Sequence, residues 1–493
     1  MLTCINIILC TCTKKLNMNH EIITIILSIL ILSCSNESAR KNQLSHIPDI
    51  KMIDERIDSL VGSFVKLDIF SGVVLLAEAG EPIYHKSYGL ADRDNRIPVT
   101  LDTKFNIGSM NKSFTKVVIM KLIEQGKLNP GQKLTEIIPG FTQKDADKIS
   151  ISHLLEHKSG FGDYHSPEFF QKPAQEISIA GITESLKKSE LLFTPGEEEE
   201  YSNSGYILLG SVIEKISGKS YAANVNEYIL GPLQLNNTIL ENVEAARDRA
   251  RGYMRTISGI EDQSKMFSNP PMSDGGAWST TIDMLKFYRS FFYDHDFISE
   301  EIRNQSGFFR RINENSGKKG AGIPISGGLP GFNTVHMEMI NDNISILVFS
   351  NMDEPVAEKI CFGIHALLNG RSPEPASLPA SINVYESYKK NGPEFVRNNF
   401  DSLSVNFPPQ DPKDFILNMI GYDLLFSGKH AEALEIFRLN IDLFPDVANC
   451  YDSYGEALLI SGKKDEARKA YRKALELKPD LKSSQDALKK IEG

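Results

Sequence analysis

Residues 50–66 place Ile53, Ile57, Leu60, Val61 and Phe64 on one helical face, which predicts an amphipathic helix. The rhythm then changes. Residues 70–77 are apolar and β-branched, 78–81 (Glu-Ala-Gly-Glu) turn, and 82–88 alternate, which predicts a hairpin. Helical patterns dominate from Ser109 to about Phe292. Strand patterns return at 333–340 and 344–351, with Asn341-Asp342-Asn343 turning between them, and a helix is expected over 355–368. Strands at both ends of a helical middle can be buried only if early and late strands share a sheet. The expected fold over 50–370 is therefore α+β, an antiparallel sheet flanked by helices with a mostly helical subdomain.

Residues 371–381 (Arg-Ser-Pro-Glu-Pro-Ala-Ser-Leu-Pro-Ala-Ser) read as a linker. Beyond it, 382–493 forms an all-α helical-repeat domain with an internal period of 34. Leu417/Tyr451, Gly421/Gly455, Leu424/Leu458, Gly428/Gly462, Ala433/Ala467, Phe437/Tyr471 and Pro445/Pro479 all correspond. The small residues let paired helices approach and the aromatics fill the gap, a pattern that resembles the tetratricopeptide repeat. Because each repeat exposes an apolar face until a neighbour stacks on it, 383–403, with Gly392-Pro393, is expected to be a degenerate first repeat. The repeats would offer a groove to a protein partner or cap the preceding domain.

Composition changes little in this picture. With 41% apolar and 24% charged residues in 493, the chain is globular, and disordered or collagen-like classes are excluded. Lys plus Arg is 54 against 64 Asp plus Glu, net −10, without a long basic run, so nucleic acid is not an expected partner. Four of the six cysteines (4, 10, 12, 34) precede the body, so no disulfide framework spans it. Lys14 and Lys15 precede an apolar run over 22–32 that is too short for a bilayer span and suits a signal sequence. Ile31-Leu32-Ser33-Cys34 resembles a bacterial lipoprotein cleavage box. Residues 1–34 are then a signal peptide, Cys34 the lipidated residue and 35–49 a tether, placing the protein in the cell envelope on a membrane anchor. An ordinary cleaved signal is the alternative, and Met18 is an alternative start.

Candidate chemistry begins at Gly108-Ser109-Met110-Asn111-Lys112. Ser-x-x-Lys alone says nothing, since the chain holds eight such strings. Position distinguishes Ser109: it follows strand-like Phe105-Asn106-Ile107 and opens a helix bearing Phe114, Val117, Val118 and Leu122, ended by Gly126. There, free backbone N–H groups favour an alkoxide, and Lys112 at i+3 lies within reach of the hydroxyl. Ser113 with Lys116 competes, one turn deeper. A second string, Tyr201-Ser202-Asn203, offers a phenol for proton transfer and an amide to hold a substrate amide. A third, Ser326-Gly327-Gly328-Leu329-Pro330-Gly331, would let a substrate backbone lie along a strand edge.

In this order the three strings resemble the serine β-lactamase and penicillin-binding-protein superfamily. The middle tyrosine resembles its class C β-lactamase, D,D-carboxypeptidase and esterase branch, as do Leu154-Leu155-Glu156-His157-Lys158-Ser159-Gly160, Thr194-Pro195-Gly196 and Gly275-Gly276-Ala277-Trp278-Ser279-Thr280. The resemblance covers about 50–370. It implies Ser109 as nucleophile, Lys112 and Tyr201 sharing the proton work, and Asn203, Ser326 and Gly327 binding substrate. Backbone N–H groups of Ser109 and Gly328 would form the oxyanion hole, and no cofactor or metal is implied. One departure stands out: where the family usually carries Lys or His before the strand motif, this chain has Ile325. Losing a charge-assisted bond to a substrate carboxylate costs about 1.5–3 kcal/mol. Lys318 or Lys319 could supply the missing charge.

The expected activity is a serine hydrolase working through an acyl-enzyme on an ester or amide, D-amino-acid peptides included, rather than an efficient β-lactamase. A catalytically weak binding protein of the same fold is the alternative that Ile325 motivates. A zinc peptidase through His153-Leu154-Leu155-Glu156-His157 is a third reading, which lacks an evident further ligand motif.

Overall fold

The computed structural model describes residues 50–165, 169, 177–264, 270–315, 318–352, 355–407 and 411–492. The candidate signal segment, Cys34 and the tether lie outside the described residues.

Helix α1 (Ile50–Lys66) covers the expected span and buries Ile57, Val61 and Phe64. The early hairpin is β1 (Gly72–Glu78) and β2 (Glu81–Tyr88). The late strands are β3 (Ile323–Leu329), β4 (Phe332–Met339) and β5 (Ile344–Ser350). They join in one antiparallel sheet of order β2-β1-β5-β4-β3, with Val74 opposite Val348 and Val348 opposite Val335. Every residue of β1, β4 and β5 is buried, because helices cover both faces. Edge strand β3 is only partly buried.

The helices that matter here are α2 (Lys112–Glu124), α3 (Asn203–Ser217), α4 (Thr281–Tyr293) and α5 (Val356–Leu368). The α1 and α5 helices meet closely, since a Cβ at Gly363 would lie 2.7 Å from Leu60. The α4 helix fully buries Phe287, Tyr288 and Phe291. Thr280 caps its N-terminus, its hydroxyl accepting from the Asp283 N–H. A small hairpin, Tyr253–Thr256 with Gly259–Asp262, was not foreseen in the helical middle, because four-residue strands give too short an alternation to read.

Residues 371–379 carry no regular structure, and Ala380 opens the repeats. Three helix pairs follow: α6 (Ala380–Asn391) with α7 (Pro393–Leu403), α8 (Asp414–Phe426) with α9 (His430–Leu443), and α10 (Ala448–Ile460) with α11 (Lys464–Leu477). A last helix, α12 (Lys482–Glu492), ends the run. The glycines do what the repeat pattern asks. A Cβ at Gly421 would sit 2.6 Å from the Phe437 ring, and one at Gly455 2.9 Å from Tyr471. Ile257, on the turn of the small hairpin, packs against the repeat core.

Candidate active site

Ser109 lies between a strand pair and a helix. Phe105–Asn106 pairs with Trp278–Ser279, which fixes the chain just before it. Gly108 then turns at φ +47°, a conformation that favours glycine. Residues Gly108–Asn111 form a 3-10 turn, and the α-helix starts only at Lys112. The sequence led us to expect Ser109 on the first α-helical turn. The tighter turn arises because β3 presses on its backbone: a Cβ at Gly327 would lie 2.0 Å from Ile107 O and 2.9 Å from the Ser109 and Met110 nitrogens. Gly327 thus makes room for the Ser109 turn itself.

Two polar groups converge on Ser109. Tyr201 OH donates to its Oγ at 2.6 Å, and Lys112 Nζ does so at 3.1 Å. The remaining Lys112 bonds go to Asn203 Oδ1 at 2.7 Å and Asp274 O at 2.6 Å. Three donors thus meet three acceptors, which fixes the ammonium on a side chain only 5% exposed. Its charge also sits 4.9 Å from the Tyr201 ring centre. The competing pair separates: Ser113 is buried near Tyr288, 3.4 Å from its hydroxyl, and the Lys116 charge stacks 4.3 Å over Phe308. Burial, then the charges of Arg311 and Lys112, push the Lys116 amine down to about 8.

His157 clamps the Tyr201 segment. Its carbonyl accepts from Glu200 N at 2.9 Å, its Nδ1 accepts from Ser202 N at 3.1 Å, and its ring stacks on Tyr201 at 4.9 Å. Accepting at Nδ1 requires that nitrogen to be unprotonated. Burial, aided by the charges of Lys116, Lys112 and Arg311, holds the imidazole down at about 3. The helix of His153 ends at Leu155, and His157 adopts φ +59°, so the two histidines do not share a helical face. Among the described residues no group of three or more His, Cys, Asp or Glu is placed to hold a metal ion.

Asn203 faces the site differently from its expected role. With its oxygen on Lys112, its nitrogen donates to Asp163 Oδ2 at 2.7 Å, so both ends of the amide are engaged within the protein. Burial would raise the Asp163 carboxyl, but hydrogen bonds from His165 and Asn203 hold it at about 2. Asp163, His165 and the pair formed by Tyr164 OH and Asp274 Oδ2 at 2.7 Å went unrecognised in the sequence. No spacing pattern marks them, because loops bring them in.

Ser109 opens into a cleft of about 290 Å³ lined by Tyr164, Asn203, Met272, Asp274, Gly328 and Pro330, among others. Gly328 stands opposite Asn333, next to the Leu329–Phe332 pair that closes the hairpin. Alternation along an antiparallel ladder turns its N–H to the free edge, toward the nucleophile turn. A Cβ at Gly108 would lie 2.7 Å from that nitrogen. Ser326, two residues back, does not join the trio; its exposed side chain lies beside Glu358 of α5. Ile325 is partly buried against the main core. Lys318 and Lys319 are exposed at the far end of β3, beside Gly320, which is tied to Asp342 and His365. They therefore do not replace the missing charge.

The chain is similar in sequence and fold to known proteins. Penicillin-binding protein 4* of Bacillus subtilis (strain 168) is 30% identical over 332 residues, 60% of this chain and 73% of that one. A penicillin-binding protein from Bacillus halodurans has the same fold at TM-score 0.54 and 23% identity, covering 62% of this chain and 99% of its own. D-amino acid amidase from Ochrobactrum anthropi SV3 superposes at TM-score 0.55 and 21% identity, covering 65% and 100%. A tetratricopeptide repeat profile matches residues 448–481, within the helix pairs that close the chain. The Beta-lactamase profile runs over residues 54–363, from α1 through the sheet and the cleft to α5, and the chain belongs to that family.

Proposed function

We propose that the protein is a serine hydrolase that forms an acyl-enzyme at Ser109 on a neutral ester or amide. One observation carries the reading: Ser109 Oγ, at the cleft, receives both the Tyr201 phenol at 2.6 Å and the Lys112 ammonium at 3.1 Å. In the reaction Oγ attacks the substrate carbonyl carbon, and its proton enters the Tyr201–Lys112 pair. A phenol that donates to Oγ cannot take a second proton, so the accepting form is the Tyr201 phenolate, its own proton released beforehand to solvent, and the Lys112 ammonium, with all three bonds donated, balances its charge. The N–H groups of Ser109 and Gly328 face the oxygen that gains charge. The same pair returns the proton to the departing alcohol or amine, and water then cleaves the acyl group from Ser109.

Ile325 argues for the substrate class. An aliphatic side chain stands where the family usually sets a cation, and the exposed acidic run Glu197–Glu200 precedes Tyr201. Among the described residues a substrate carboxylate meets no compensating charge at that position, which favours neutral acyl donors over β-lactams. The fold shared with a D-amino acid amidase supports amides within that class. A fluorophosphonate probe should label the purified protein and short-chain nitrophenyl esters should turn over. Ser109→Ala should abolish both. Persistent labelling of that variant would refute the assignment, and a wild-type protein inert to probe and esters would favour the binding-protein reading. The proposal extends to location. Cys34 is lipid-modified and tethers the domain to the envelope membrane, which loss of labelled fatty acid incorporation in Cys34→Ala would test. The repeats are proposed to contact a protein partner, in keeping with the tetratricopeptide match.

A further inference from the structure

We infer that Asp163 is a positioning residue that holds the Asn203 amide in one orientation and thereby keeps an acceptor against Lys112 Nζ. The inference rests on the hydrolase reading above. Lys112 as an ammonium is a pure donor and selects the amide oxygen unaided. Once the lysine is neutral its lone pair accepts equally well from an amide N–H, and the side chain can turn over. Asp163 prevents this, because Asn203 Nδ2 donates to its Oδ2 at 2.7 Å and a turned amide would set oxygen against carboxylate.

The carboxylate is itself fixed. Its Oδ1 accepts from the His165 backbone N at 3.0 Å and from His165 Nδ1 at 2.9 Å, leaving Oδ2 for Asn203. Lys112, Asn203 and Asp163 thus form a run of hydrogen bonds donated in one direction, and Lys112 also donates to Ser109. Other charged or titratable groups border it. Tyr201 and Tyr206 present their rings to Lys112 at 4.9 and 5.6 Å, and Lys116 lies one turn further along α2. His157 stacks on Tyr201 and packs at a tilt against Tyr206, with Arg311 beyond it held by Glu199. Near Asp163 stand Tyr164 and His165, and the Asp274 carboxylate accepts from Tyr164. All of these remain when Asp163 alone is changed.

Asp163→Asn is the informative substitution. Two His165 donors claim the oxygen of the new amide, so its NH₂ faces Asn203, which must turn its own oxygen outward and its NH₂ toward Lys112. Ester hydrolysis by D163N should lose about tenfold or more in kcat, with KM within about threefold. Asp163→Glu should restore part of the rate. In an Asn203→Ala background D163N should add less than about twofold, since the two residues act in series. A D163N enzyme whose kcat stays within about threefold of wild type, or one whose loss is undiminished in Asn203→Ala, overturns the inference. Should D163N not fold, Asp163→Ser supports the same comparison. If wild-type protein shows no Ser109-dependent turnover, the hydrolase reading fails and takes this one with it. Turnover with an indifferent D163N sinks only the positioning role.

Discussion

Replacing Gly327 by alanine tests whether β3 and the nucleophile turn form one rigid unit. The added Cβ would lie 2.0 Å from Ile107 O and 2.9 Å from two backbone nitrogens. All three are main-chain atoms, so no side chain can swing aside. Reaching ordinary contact needs about 1.4 Å of separation between the strand and the Ser109 turn. Thr334 resists it, its hydroxyl donating to Gly327 O at 3.1 Å and Ile107 O at 3.3 Å. Overpacking of this kind costs about 1–3 kcal/mol, which in a domain of this size lowers Tm by only several degrees. The catalytic loss should be larger. Gly328 moves with the strand, and removing one oxyanion donor costs about 10²–10³ in rate. Gly327→Ala should therefore lose at least about a hundredfold in kcat/KM for a nitrophenyl ester while melting cooperatively close to wild type. Gly328→Ala is the geometric comparison, since its Cβ meets nothing nearer than Phe332 O at 3.8 Å, and it should melt like wild type. If Gly327→Ala keeps kcat/KM within about threefold of wild type, the strand does not hold the oxyanion site and the reasoning fails.

Three further predictions follow from the same geometry. Ile325→His should raise kcat/KM for carboxylate-bearing substrates relative to neutral esters by about 10–100-fold, the value of one charge-assisted bond, as a paired kinetic comparison would reveal. His157 is held at about 3 in the fold against an ordinary value near 6.5, so between these the unfolded chain binds the extra proton. Stability should accordingly fall as pH drops through that window, by about 1.4 kcal/mol per pH unit, and His157→Leu should remove one proton's share of the slope in urea denaturation. An unaltered slope in that variant would count against the buried neutral imidazole. Gly421→Ala sets a Cβ 2.6 Å from the Phe437 ring and should destabilise the repeats by about 1–3 kcal/mol, seen as a loss of helical circular dichroism at lower temperature.

Side-chain pattern along the chain settles the elements whose periodicity is long and whose burial is one-sided or complete. The α1 span was readable to the residue, as were the β1–β2 hairpin, the late strands and the 34-residue repeat, because side-chain spacing there reports directly on which face meets the core. It also put Ser109, Lys112 and Tyr201 forward, although Ser109 and Tyr201 are 92 residues apart. The rest depends on which loops and edges meet in three dimensions. Asp163, His165 and Asp274 reach the site from irregular segments that carry no pattern. The turn at Ser109 is 3-10 rather than α because a neighbouring strand presses on it, and Gly327 is required by that contact. Ser326 turns to Glu358 because successive residues of a strand face opposite ways, and nothing in the motif says which face meets the cleft. His157, legible as half of a metal motif, serves as a clamp on Tyr201 because its helix stops two residues early. Local spacing fixes local structure; contacts between segments distant in the chain fix the chemistry.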